Sequence, residues 1–169
     1  SDEKPQESEN IAVINLGHTY TNIIVARGDS PYFTRDIQIG GAFVAQSIAS
    51  QLGIDPDTVF DKPFDTQAKG SEMKESAKRI LSKLGDEIRL SLGYYENQYG
   101  GSINRLYLAG GLASCDSVCE YFEETIGIKP VVWNPLNGFH LAEGLDRDSM
   151  EGALPSLAVA CGLILRQDN

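Results

Sequence analysis

The sequence predicts an α/β domain, and three observations carry that expectation. Three β-rich runs stand close together within residues 11–39. A later apolar run, "INRLYLAGG", ends in paired glycines and leads into a helical pattern, which makes a strand-turn-helix unit. Between them lies a long stretch whose apolar residues recur every three or four positions.

The elements follow in order. "IAVINLG" and "TNIIVARG" are two β-runs joined by a short polar turn, and Gly28-Asp29 closes the second, so a hairpin is expected, with a third strand over "PYFTRDIQI". Gly40-Gly41 stop the strand pattern. A helix over "AFVAQSIASQLG" then places Phe43, Val44, Ile48 and Leu52 on one side and closes at Gly53. "IDPDTVFDKPFDTQAKGS" is rich in Asp, Pro and Lys without an apolar period, and marks a boundary or excursion.

The next stretch carries Met73, Ala77, Ile80, Leu81, Leu84, Ile88 and Leu92 at helical spacing, which predicts one long amphipathic helix with a solvated charged side. The helix after "LYLAGG" is expected to be capped near Ser114 or Asp116 and to run to Thr125. "KPVVWNP" reads as a short strand ended by Pro135, with Trp133 expected in the core. "LPSLAVACGLILR" reads as an apolar final helix with Pro155 in its first turn.

Composition bounds the function. The 169 residues suit one domain or two small subdomains. A net charge of -10 argues against nucleic acid or an anionic membrane surface as the main partner. No apolar run reaches the length of a membrane span, so direct membrane insertion is not expected, and residues 1–10, "SDEKPQESEN", read as a disordered polar leader. Three cysteines cannot all pair, and Cys115 and Cys119 stand one helical turn apart, a pattern that fits a reducing cytoplasm. His18 and His140 show no ligand spacing with them, so no metal site is expected.

Two turns hold the candidate chemistry. Backbone amides in a tight turn bind phosphate oxygens well where no side chain blocks the approach. Gly17 meets that need; Thr19 and Thr21 add hydroxyls and Asn15 an amide at the strand end. Gly110-Gly111 would let a ribose or purine lie against the backbone. An ordinary polar hairpin and an ordinary glycine turn are the plain alternatives. Neither turn matches the GK[ST] loop or G-x-G-x-x-G. His18, in the first turn, is counted with Asn15, Gly17, Thr19 and Thr21 among the candidates for binding a nucleotide; as a catalyst it is not expected, a solvated or capping role being the plain reading, and no catalytic base is assigned. Arg35 is expected to pair with Asp36 or a neighbour.

Taken in register, "NLGHTYTNIIV", "FTRDIQIGG", "LYLAGGLASCDSVCEYFEETIG", "VVWNPL" and "PSLAVACGLILR" resemble the second half of the actin-like ATPase superfamily, most closely the PilM family of type IV pilus assembly proteins, related to FtsA. The resemblance implies a ribonuclease H-like mixed sheet with flanking helices. It divides the chain into a core of 11–53 and 102–169 and an inserted lid-like subdomain of 54–101. Asn15, Gly17 and Thr21 match the D-x-G-x-x-x-T phosphate hairpin, with Asn in the place of the acidic residue. Gly110 and Gly111 match the adenosine turn. Glu72, Lys74 and Lys78 are the candidates for ribose and adenine contacts.

The cofactor implied is ATP with Mg2+. The partners implied are the other half of the same fold and the cytoplasmic tail of a PilN-like inner-membrane protein, which would hold the chain at the inner face of the membrane. The isolated half would offer one wall of a cleft, so turnover by it is not expected. A nucleotide-free scaffold similar to the actin-like domain of type II secretion systems, and half of a sugar kinase-like phosphotransferase, are the alternatives.

Overall fold

The computed structural model describes residues 8–61, 70–137, 139–140, 142 and 150–165, with the side chains of 60–61, 70–74 and 151 outside that description. Strands β1 (Asn10–Leu16), β2 (Thr21–Arg27) and β3 (Ser30–Ile37) form an antiparallel meander. β4 (Arg105–Ala109) runs parallel to β1, and β5 (Pro130–Val132) parallel to β4. The sheet is therefore mixed, in the order β3-β2-β1-β4-β5.

Alternation decides which face is covered. Ala12, Ile14 and Leu16 of β1 and Thr21, Ile23 and Val25 of β2 are buried, while Ile11, Val13 and Asn15 between them are half-buried. The buried face shares one core with α1 (Gly41–Leu52) and α3 (Gly70–Tyr99). α1 ends where expected: Gly53 takes the left-handed conformation at φ 64° and donates its N–H to Ala49 O. α3 buries Ala77, Ile80, Leu81, Leu84, Ile88, Leu92 and Tyr95, so the helical period is a core stripe from Ala77 onward; the Met73 side chain lies outside the described residues. The expected insertion, 54–101, supplies α2 (Pro56–Asp61) and this helix. Gly85 brings α3 close to α4 (Asp116–Ile126), since a Cβ there would stand 3.0 Å from Thr125 Cγ2.

Several expectations need correction. Phe43 is exposed, and α1 packs through Val44, Ala45, Ile48 and Ala49. Trp133 is 39 % exposed: its backbone N–H donates to Leu108 O of β4 at 2.7 Å, but like Val131 and Val132 before it the side chain lies outside the core. α4 is preceded by a 3-10 turn, Gly111–Ser114, so its N-cap is Cys115; Ser114 Oγ donates instead to Gly152 O at 2.9 Å. The final apolar segment divides into a 3-10 helix, Glu151–Leu157, which contains Pro155, and α5 (Ala158–Leu165). Arg35 reaches past Asp36 to α3, where it donates to Glu87 Oε2 at 2.7 Å and Ser91 Oγ at 3.0 Å. Within the expected leader 1–10, Asn10 opens β1 and Glu9 pairs with Arg105, while residues 1–7 lie outside the described residues.

Candidate functional site

β1 and β4 are parallel neighbours, so their carboxyl ends lie side by side. β1 runs into the hairpin turn of residues 17–20, and β4 runs into Gly110-Gly111 and α4. The ends of parallel strands that leave in different directions open a crevice in α/β sheets. Here the crevice is a cavity of about 710 Å³. Asn15, Gly17 and His18 line it from the first turn, Gly110, Gly111 and Cys115 from the second, and Ser156 and Val159 from the terminal helical segment.

The first turn is clamped from two sides. Gly17 N–H donates to Tyr20 O at 3.1 Å, closing the turn on itself. Gly41 N–H and Ala42 N–H, the first amides of α1, donate to Gly17 O at 2.8 Å and His18 O at 2.9 Å. The helix start thus spends its unpaired donors on the turn. Gly40 makes that approach possible, because a Cβ there would lie 2.5 Å from His18 O.

The paired glycines divide their tasks. Gly110 has φ +89° and ψ 168°, buries its backbone against Leu16, and donates its N–H to Pro155 O at 2.7 Å. A Cβ at Gly110 would meet Leu16 O at 2.3 Å. Gly111 is exposed on the cavity wall, and the nearest atom to a Cβ there is Ser156 Oγ at 3.7 Å. Gly110 is therefore required by the fold, and Gly111 leaves the wall low where a ligand would approach.

The structure brings together Asn15, Gly17, His18, Gly110 and Gly111, and leaves other expected residues out. Thr21 is fully buried and its Oγ1 donates to Ile39 O at 2.7 Å, so its hydroxyl ties β2 to the segment before α1 rather than facing a ligand. Thr19 is exposed at the turn's tip and does not line the cavity. Glu72 and Lys74 fall in the first turns of α3, and their side chains lie outside the described residues. Lys78 is exposed and pairs with Glu124 of α4 at 3.7 Å, an ordinary surface ion pair.

The structure also adds residues that spacing did not reveal. Asn15 Nδ2 donates to Asn22 Oδ1 at 3.0 Å, and Asn22 Nδ2 to Asp36 Oδ1 at 2.8 Å, so a row of polar side chains crosses β1, β2 and β3. Cys115 reaches the cavity from the N-cap of α4. Cys119, one turn on, donates its Sγ–H to Ala113 O; burial, with Asp116 and Glu120 nearby, pushes its thiol up. Cys119 is thus a packing thiol held in its neutral form.

Comparison with known proteins agrees with this architecture. The family model described as type IV pilus assembly protein PilM matches residues 3–168. The structure is similar to a PilM-PilN type IV pilus biogenesis complex, with a TM-score of 0.82 and 22% identity over 95% of this chain and 46% of that one. It is also similar to the ethanolamine utilization protein EutJ from Carboxydothermus hydrogenoformans, with a TM-score of 0.67 and 18% identity over 93% of this chain and 48% of that one. MreB 5 of Spiroplasma citri bound to AMPPNP matches with a TM-score of 0.65 and 12% identity, over 93% of this chain and 52% of that one. The fold is the actin-like one, and the chain spans about half the length of each of these structures.

Proposed function

The chain belongs to the type IV pilus assembly protein PilM family, and from that premise we propose that it is the nucleotide-holding half of an actin-like scaffold for pilus assembly. The observation that carries the reading is the cavity between the two turns at the carboxyl ends of β1 and β4. Its size lies within the range of small-molecule sites, roughly 300–1,000 Å³. The likeness to MreB 5, whose structure holds AMPPNP, agrees with a nucleotide as the occupant.

The residues present fit ATP with Mg2+ as the ligand. Gly17 lines the cavity with no side chain to block the approach of phosphate oxygens, and the low wall at Gly111 suits the flat face of a nucleoside. Mg2+ keeps most of its water when bound to phosphates, so a neutral acceptor such as Asn15 serves its hydration shell without a cage of carboxylates. Such a site binds more readily than it hydrolyses. Occupancy would act by favouring one arrangement of the two halves of the fold over another.

The other half has a surface to cover. Val159, at the cavity, and Leu163, Ile164 and Leu165 beyond it are 58–73 % exposed on α5. In this reading the second half closes over α5 and the cavity mouth, and carries the groove for a PilN-like tail. Binding that tail would hold the protein at the inner face of the membrane; no helix among the described residues is long and apolar enough to cross one.

A nucleotide-free scaffold is the second reading, and two observations favour it. The acidic position of the phosphate hairpin is Asn15, and the hydroxyl of Thr21 is consumed by the fold. Calorimetric titration of ATP with Mg2+ into the full-length protein and into this chain alone decides between them. Binding by the full-length protein, at least roughly tenfold weaker in the chain alone and weakened again by Gly111→Val, is the expected result. A full-length protein that takes up no nucleotide leaves the bare scaffold.

A further inference from the structure

Asn15, Asn22 and Asp36 occupy one lateral row of the sheet: Asn15 is opposite Asn22 in the β1–β2 register, and Asn22 is opposite Asp36 in the β2–β3 register. On its other side Asn15 is opposite Ala109, the last residue of β4 before Gly110. We infer that Asn22 and Asp36 are positioning residues that aim the Asn15 carbonyl oxygen at the hydrated cation of a bound metal-nucleotide. The inference rests on the nucleotide reading above and adds the device that makes a neutral residue serve at the acidic position.

Chemistry gives the row a single direction. An ionised carboxylate only accepts hydrogen bonds. Asp36 Oδ1 therefore obliges Asn22 to turn its NH2 group toward β3, at 2.8 Å. That leaves Asn22 Oδ1 facing β1, where it can only accept, so Asn15 must present its own NH2, at 3.0 Å. The oxygen of Asn15 then points away from β2, toward the flank on which β4 runs out into Gly110 and Gly111. Asn15 lines the cavity on that flank.

Without the carboxylate, either amide could turn over at little cost, and Asn15 would offer a donor as readily as an acceptor. With it, the two amides are polarised in series from an anion, and each bond strengthens the next. The Asn15 oxygen carries part of the negative character that an acidic residue would supply directly. Water bound to a divalent cation donates hydrogen bonds, so an oriented acceptor is the group it needs.

The test measures ATP affinity of the full-length protein twice, with Mg2+ and with EDTA, for the wild type, Asp36→Asn and the double variant Asn15→Asp with Asp36→Asn. Asp36 is exposed on the edge strand, so its amide variant keeps the fold. The expected result for Asp36→Asn is a roughly fivefold loss of affinity with Mg2+ and none with EDTA. The double variant, which moves the carboxylate along the row to the cavity, restores the metal-dependent gain. Equal losses in both conditions, or no loss in either, overturn the inference. A wild type that binds no ATP with or without Mg2+ overturns the nucleotide reading itself, and that outcome is read from the unmutated protein alone.

Discussion

Gly110→Ala tests the clamp between β1 and β4 more severely than any other single change at the site. At φ +89° and ψ 168° the backbone lies in a region that only glycine enters easily, and a residue with a side chain there costs about 1–3 kcal/mol. The new Cβ would stand 2.3 Å from Leu16 O. That oxygen is backbone at the end of a central strand, so it does not swing aside as a side-chain tip would; relieving such an overlap costs a further ~1–3 kcal/mol. The two together make about 2–6 kcal/mol.

For a protein of this size each kcal/mol lowers the melting temperature by about 2–4 °C, which puts the Gly110→Ala loss at roughly 4–24 °C. Gly111→Ala is the internal control. Its Cβ meets nothing closer than Ser156 Oγ at 3.7 Å, so stability should change by less than about 0.5 kcal/mol. Thermal unfolding followed by far-ultraviolet circular dichroism, with urea titration for the free energy, measures both. A Gly110→Ala protein melting within a degree or two of the parent would refute the reasoning, because neither the backbone strain nor the overlap would then be real.

Thr21→Val removes a buried hydroxyl without changing side-chain shape and leaves Ile39 O without that donor, which should cost about 1–2 kcal/mol, while the ATP affinity of the full-length protein stays within about twofold. A stable variant with a tenfold loss of affinity would return Thr21 to the ligand site. The folded protein holds the Cys119 proton to higher pH than the unfolded chain does, because burial disfavours the thiolate. This contribution to stability is intact below the unfolded thiol's range, about pH 8.5, and is lost as pH rises from there through the raised value of the folded protein. The urea midpoint should therefore fall less between pH 7 and pH 10 in Cys119→Ala than in the parent; equal falls would show that the thiol plays no part.

Much of the framework was legible because it depends on local periodicity. The strand alternation through Ala12, Ile14 and Leu16, the stripe from Ala77 to Leu92, and the stop at Gly53 each follow from residues a few positions apart. The same holds for the two glycine turns that meet at the cavity, since a glycine after an apolar run is visible without knowing what it faces.

What sequence could not assign were the partners. Thr21 and Ile39 are 18 positions apart, and only the path of the chain from β3 to α1 puts the carbonyl over the hydroxyl. The hydroxyl's position in a D-x-G-x-x-x-T pattern suggested a ligand, but burial gave it to the backbone. Trp133 and Phe43 are apolar and still exposed, because burial depends on which face of the element meets the core. Lys78 needed α4 beside α3 before its ion pair could be seen.

By itself the sequence determined an acidic α/β chain with a β-meander, a long amphipathic helix and two glycine turns, since these follow from composition and short-range spacing. The tertiary structure decided that Gly110 serves the fold while Gly111 faces the cavity, and that Asn15 is joined through Asn22 to a carboxylate on the edge strand. The physical reason is register: one residue of slip between β1, β2 and β3 would send each side chain to the opposite face, and a single sequence does not record how its strands align.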